Sequence, residues 1–276
     1  MKIDSQWLED YQRNGAGVLR QVVPESWIDR MRAAVSEVLE DGSDLSMNLA
    51  KDDKGAFFND LFLWRWNEDF RRFAFESPLP ELASRILAAD DIRLFYDQLF
   101  VMEPGGQTGT PWHQDLPYWP ISGPDVLSIW VPFDPVSPDN GVVSYVAGSH
   151  RWQQRIRPAS PRLTAAGKID EVSSTDGRIV FDPEDGAHAF LTWTLEPGDV
   201  LVHHGMTVHG ARPNTTADLR RRALAVRYVG PETRYDPRPG TWIHDTKVRT
   251  HLPLPDLQPG DPLDCELFPK VWPRPS

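Results

Sequence analysis

The 276-residue chain has a single cysteine, Cys265. An intramolecular disulfide is therefore impossible, as is a metal site built from cysteines alone, and the composition suits a reducing compartment. No apolar run is long enough to span a bilayer, and residues 1–10 lack the basic-then-apolar layout of a secretory signal. The expectation is a cytoplasmic protein. Positive charge is also scarce: 29 Lys and Arg against 40 Asp and Glu leave a net charge of −11. Nucleic acid and anionic membrane surfaces, which need a basic footprint, are poor partners for such a chain. Ser128, Ser144 and Ser149 sit in no G-x-S-x-G elbow, no glycine-rich phosphate loop opens a helix, and no segment repeats. Small-molecule chemistry of another kind remains.

Apolar residues, at 40%, are enough for a sizeable core, and 11 Trp with 12 Phe supply large rings for it. The first ninety residues read as helical. Ile28, Met31, Val35, Val38 and Leu39 recur at helical spacing between Pro24 and Asp41-Gly42, and a second helix is expected over residues 80–89. Between them lie Phe57, Phe58, Phe62, Trp64 and Trp66, which read as core. From Ile92 onward short apolar runs alternate with Gly, Pro, Asp and Asn. Strands are expected at 92–102, 126–133, 141–145, 188–194, 200–204 and 223–229. Strands at this spacing suggest a sandwich or barrel such as a jelly roll. The polar stretch 151–187 has the character of a lid or substrate loop. The last 46 residues contain 10 prolines and read as an extended tail wrapped around the domain. All-β barrels of 200–250 residues often form one unit, so the whole chain, 1–276, is expected to be a single domain.

Two short segments carry the chemistry. Pro111-Trp112-His113-Gln114-Asp115 contains an H-x-D pair, and Val208-His209-Gly210 supplies a histidine far downstream. Two imidazoles and one carboxylate on one face of a metal are the ligand set of non-haem Fe(II) oxygenases. Residues i and i+2 share a face on a strand, so the pair asks for a β scaffold that returns His209 beside it. His203 and His204 alternate on a neighbouring run, and one of them is expected to pack beside the site. His150 reads as a loop or capping residue.

The motifs extend beyond the ligands. His113-Gln114-Asp115-Leu116, Tyr118, Pro120, Trp130, Asn140-Gly141 and Gly148-Ser149-His150 follow in order, then Pro197-Gly198-Asp199, His204, His209-Gly210, Asn214 and Arg220-Arg221-Arg222-Ala223. This ordered series resembles the phytanoyl-CoA dioxygenase family of Fe(II)- and 2-oxoglutarate-dependent oxygenases over roughly residues 95–229. The resemblance implies a mainly β fold with flanking helices, a double-stranded β-helix or cupin-like jelly roll, holding Fe(II) through His113, Asp115 and His209. It further implies 2-oxoglutarate and O₂ as co-substrates, with an arginine beyond the distal histidine pairing with the far carboxylate of 2-oxoglutarate. Counting eleven residues from His209 selects Arg220, whereas the Arg-Ala-Leu register selects Arg221, which is preferred. On a strand Arg221 shares a face with Ala223, Ala225 and Arg227, opposite Leu224, Val226 and Tyr228. Trp130 matches a tryptophan near 2-oxoglutarate in the family.

Two positions depart from the family pattern. Ala211 stands where many members have a serine that assists co-substrate binding, and Glu103 where a basic residue is common. The activity implied is hydroxylation of a small organic molecule with release of succinate and CO₂. Asp115 favours it, because related halogenases carry a small residue at that position. Tyr118, Trp119 and Trp152 are expected to wall the substrate pocket, with residues 151–187 and the proline-rich tail at its mouth. Two other readings remain: a cupin-type metal enzyme without 2-oxoglutarate, and a catalytically silent jelly-roll binding protein.

Overall fold

Along the run 126–132 side chains alternate between two buried environments. Leu127, Ile129 and Val131 join one apolar cluster, while Ser128 and Trp130 point the other way. Burial on both faces is what a central strand requires. The computed structural model describes residues 3–49, 56–152, 155–157, 179–184 and 186–274. Its large antiparallel sheet has the order β1 (Ala16–Leu19), β12 (Val200–His204), β7 (Val126–Pro132), β14 (Arg221–Val229), β4 (Ile92–Met102), β3 (Phe57–Leu61) and β2 (Met47–Asn48), with β16 (Lys270–Trp272) also on β4. A four-stranded antiparallel sheet has the order β11 (Phe190–Thr192), β8 (Val143–Val146), β13 (His209–Ala211) and β5 (Thr110–His113). Two short pairs complete the set: β6 (Ile121–Ser122) with β15 (Arg234–Tyr235), and β9 (Ile156–Arg157) with β10 (Ile179–Val180). The two main sheets form a double-stranded β-helix, a jelly roll.

Helices cover the outer face of the large sheet. Leu224, Val226 and Tyr228 of β14 pack there with Ile28, Met31 and Val35 of α2 (Glu25–Asp41), Phe70 and Phe73 of α3 (Glu68–Glu76), and Leu79 and Leu82 of α4 (Leu79–Leu87). The inner face is lined differently. Ala16, Ala223 and Ala225 sit there beside Trp130 and Tyr145, and these small residues leave room between the sheets. At Gly15, which ends α1 (Ser5–Asn14), φ is +76° and a Cβ would strike His150 and Thr207; the turn from α1 into β1 thus needs glycine.

Three expectations are corrected. The first ninety residues are not uniformly helical, because β1 and β3 enter the large sheet, and α3, capped by Asn67 on the amides of Asp69 and Phe70, is a further helix between the aromatic segment and the one expected at 80–89. In the aromatic segment 57–66, Phe62 and Trp64 are buried, but Trp66 is 42% exposed. The proline-rich tail is more than an extended wrap. Its prolines flank a proline-free stretch that forms α5 (Thr246–His251), capped by Asp245, and β16 then joins the large sheet. Among the described residues, no helix is long and apolar enough to cross a membrane.

Phe73 is fully buried and meets the rings of Trp27 and Phe133 edge-on at 5.6 and 6.1 Å, joining two helices to the sheet. Phe73→Ala is expected to cost about 3–5 kcal/mol, as large-to-small core truncations do. A fall in the urea midpoint with an unchanged slope would show it; a loss below about 1 kcal/mol would mean the helical layer tolerates the cavity.

Candidate metal and co-substrate site

His113 and His209 lie directly opposite each other where β5 pairs with β13, their ring centroids 4.2 Å apart. Each ring is fixed from behind. His113 Nδ1 donates to Pro111 O at 2.8 Å and His209 Nδ1 to Thr207 O at 2.9 Å; since a carbonyl only accepts, both Nε2 atoms are left with free lone pairs. The strand β5 ends at His113, so Asp115 does not share its strand face as the H-x-D spacing suggested. Asp115 instead has helical φ/ψ of −77° and −48° and opens the 3₁₀ turn Leu116–Tyr118. The amides of Asp115 and Leu116 both donate to Gly205 O, at 3.0 and 2.8 Å. Gln114 ties the same turn to Met206 O and Ile156 N. The turn swings the carboxylate inward. One ligand atom from each of His113, Asp115 and His209 then lies within 4.8 Å of the others, and all three residues are buried.

The protonation states suit a metal. Burial raises Asp115, but the charge of Arg227 foremost, with a hydrogen bond from His203, outweighs it and holds the carboxyl well below its ordinary range. Burial, with the charges of His113 and His203 adding, pushes His209 well below 6.5. A neutral imidazole and a carboxylate are the forms a metal binds. Two nitrogens and one oxygen on one side of a buried point fit Fe(II), with other coordination positions left open.

A cavity of about 250 Å³ adjoins the triad. Arg221 lines it and is 2% exposed. Its Nε has no hydrogen-bond partner among the described residues, and its guanidinium carbon lies 5.4 Å from the ring centroid of Trp130. Burial lowers its pKa to about 10 despite the nearby charge of Asp134. A buried cation with an unused donor fits an anionic ligand, and a guanidinium fits a carboxylate best. Arg220 lies elsewhere: it is exposed and bonded to Glu103 at 2.8–2.9 Å. Strand parity separates the two, because β14 sends Arg221, Ala225 and Arg227 into the cavity.

Other expected site residues are not brought together. Trp119 is buried in a separate aromatic cluster, donating to the Tyr96 hydroxyl at 2.7 Å, and Tyr118 packs against that cluster. Trp152 packs with Phe181 and His188. None of the three lines the cavity: the turn that opens at Asp115 carries Tyr118 and Trp119 into one aromatic cluster, and Trp152 belongs to another. Of the lid segment 151–187, residues 153–154, 158–178 and 185 lie outside the described residues; no described residue of that segment or of the tail lines the cavity. Its far wall comes from Met47, Leu49, Phe57 and Phe100. Phe57 was read only as core, and pairing between β2, β3 and β4 puts it there. His203 also lines the cavity, its Nε2 3.4 Å from Asp115 Oδ2, whereas His204 bonds to Pro124 O.

The jelly roll and its two-histidine, one-carboxylate triad define a class of non-haem metal proteins, and comparison with known proteins narrows it. The chain belongs to the phytanoyl-CoA dioxygenase (PhyH) family, whose model matches residues 11–223. Dioxygenase lolE1 of Epichloe uncinata is 30% identical over 169 residues, covering 61% of this chain and 57% of that protein. A probable alpha-ketoglutarate-dependent hypophosphite dioxygenase of Stutzerimonas stutzeri is 28% identical, covering 54% and 49%. The aligned region thus spans about half the length of these curated relatives. The solved structure of the epimerase SnoN in complex with Fe3+, alpha ketoglutarate and nogalamycin RO superposes with a TM-score of 0.76 at 21% identity, covering 96% of this chain and 97% of SnoN.

Acid should destabilise the metal-free protein. His204 is pushed down to about 4, first by burial and then by the charge of His150, and His203 and His209 are also lowered by burial. Between the folded value and the ordinary 6.5 the unfolded chain binds more protons, so stability falls as pH drops through that window. Buried Asp97, raised to about 8, works in the opposite direction below that pH, so the His204 contribution is read as a difference: between pH 6.5 and pH 4 the melting temperature of His204→Gln is expected to fall less than that of wild type. Equal falls in the two proteins would contradict a depressed His204.

Proposed function

We propose that the protein is an Fe(II)- and 2-oxoglutarate-dependent dioxygenase that hydroxylates a small organic molecule, releasing succinate and CO₂. The observation that carries this reading is one cavity holding both a buried His-Asp-His triad and a buried arginine with an unused donor. When bound, Fe(II) supplies activation of O₂ coupled to decarboxylation of 2-oxoglutarate. The chain's part is placement. His113 and His209 offer Nε2, and Asp115 offers Oδ1, the oxygen 3.3 Å from His113 Nε2. Arg221 receives the far carboxylate, with Trp130 restraining its guanidinium from one side. The apolar wall of Met47, Leu49, Phe57 and Phe100 borders the substrate and limits water near the reacting carbon. A cupin-type metal enzyme without 2-oxoglutarate would leave Arg221 uncompensated, and a silent binding protein would have no use for three metal-ready donors.

Incubation with Fe(II), ascorbate and 2-oxoglutarate tests the proposal by succinate release, screened across acids, amino acids, phosphonates, CoA esters and secondary metabolites. Alanine at His113, Asp115 or His209 is expected to abolish turnover. Arg221→Ala removes one partner of a buried charged pair, a loss of about 2–5 kcal/mol, so the 2-oxoglutarate requirement should rise by tens-fold or more. Arg220→Ala should stay near wild type. Equal effects of the two arginine variants would sink the co-substrate assignment.

A further inference from the structure

Asp115 has two oxygens, and the structure treats them differently. Oδ1 lies 3.3 Å from His113 Nε2 and 4.0 Å from His209 Nε2, on the side of the triad. Oδ2 faces the large sheet, with Ser128 Oγ at 3.5 Å, His203 Nε2 at 3.4 Å and Arg227 Nε at 3.8 Å. These three residues form one cross-strand row: His203 of β12 is paired with Ser128 of β7, and Ser128 with Arg227 of β14. We propose that this row is a clamp that holds Asp115 as a one-oxygen metal ligand, with Arg227 as its principal positioning residue. The inference rests on the metal-binding reading above.

Arg227 is 4% exposed and is itself held firmly. Its guanidinium carbon lies 4.4 Å from the Tyr96 ring centroid and 5.5 Å from that of Trp119, and Nη2 donates to Gln98 Oε1 at 2.8 Å. Nε and Nη1 have no hydrogen-bond partner among the described residues. The aromatic faces and Gln98 therefore fix the plane of the guanidinium and keep its Nε edge beside Oδ2. His203 is fixed in the same way. The Tyr145 hydroxyl lies 3.3 Å from its Nδ1, so with that hydroxyl as donor Nε2 carries the proton offered to Oδ2. Carboxylates use one or two oxygens on a metal with little energetic preference of their own. A cation and two donors on Oδ2 remove that freedom, leaving Oδ1 inward and a coordination position unblocked. Arg227 also keeps Asp115 paired when no metal is present, which spares the folded protein an isolated buried charge.

The test titrates metal-free protein with Co(II), following the visible absorption bands, with no turnover required. Wild type should bind one equivalent and Asp115→Ala should lose it; if either fails, the metal-site reading falls irrespective of the clamp. Given that result, Arg227→Met is expected to weaken Co(II) binding by about 10- to 100-fold and shift the visible spectrum. Arg227→Lys should recover part of both. Ser128→Ala, which removes one oxygen from a fully buried site, should weaken binding by a smaller factor with the same direction of spectral change. It carries the test alone if Arg227→Met does not fold. Wild-type affinity and spectrum in whichever of these two variants folds would overturn the clamp. So would a loss in Arg227→Met that Arg227→Lys does not recover at all.

Discussion

Withdrawing a carboxylate from water costs several kcal/mol unless charges and donors replace the lost solvent, and Asp115 meets that cost between two sheets. Its own turn is pinned to Gly205, its inner oxygen faces two histidines, and its outer oxygen faces a serine, a histidine and an arginine. The small sheet contributes the inner partners and the large sheet the outer ones. Asp115 is thus where the two sheets of the jelly roll meet electrostatically, and registers β5–β13, β7–β12 and β7–β14 must all be correct for it to be satisfied. A slip of one residue in any of them would turn a partner to the opposite face.

The same parity divides the labour of β14. Leu224, Val226 and Tyr228 bind the helical layer, while Arg221, Ala225 and Arg227 face the cavity. Ala225, between the two arginines on that face, also lines the cavity. A larger residue between the two guanidiniums would fill the space beside Trp130, Ala225's partner across β7. Helix packing on one face therefore supplies the rigidity that positions charge on the other, and the site is built on strands rather than on loops.

The sequence was most legible where periodicity was strong. Residues 92–102 and 200–204 form strands with the expected bounds, the segment after Pro24 is helical to Asp41, and of the two candidate arginines the one preferred on the Arg-Ala-Leu register, Arg221, lines the cavity while Arg220 does not. Legibility failed where local pattern and tertiary position part company. The H-x-D spacing suggested one strand face, but the pair is split by a strand end, because Asp115 is oriented by distant Gly205 rather than by its neighbours. Tyr118 and Trp119 are close to the ligands in sequence, which suggests pocket walls; one turn of 3₁₀ helix carries them instead into a separate aromatic cluster. Conversely, Phe57 gave only a signal of bulk, and its place in the cavity depends on pairing with a strand some forty residues away. Arg227 was visible as a residue on Arg221's face, but nothing local linked it to Asp115.

The charge of the cavity runs against that of the whole chain. The protein carries a net −11, yet the cavity's charged groups among the described residues are Arg221, Arg227 and Asp115. Arg227 and Asp115 offset one another at 3.8 Å, which leaves Arg221 as the cation without a counter-charge among the cavity's described lining residues. Low-dielectric walls concentrate the field of such a charge, so the interior attracts anions that the acidic exterior repels. A divalent metal at the triad would strengthen that attraction. A ligand with one anionic end at the metal and another at Arg221 satisfies both centres at once, whereas a monoanion must leave one of them unpaired. Two cationic centres facing one cavity would therefore favour an anion charged at both ends over a monoanion.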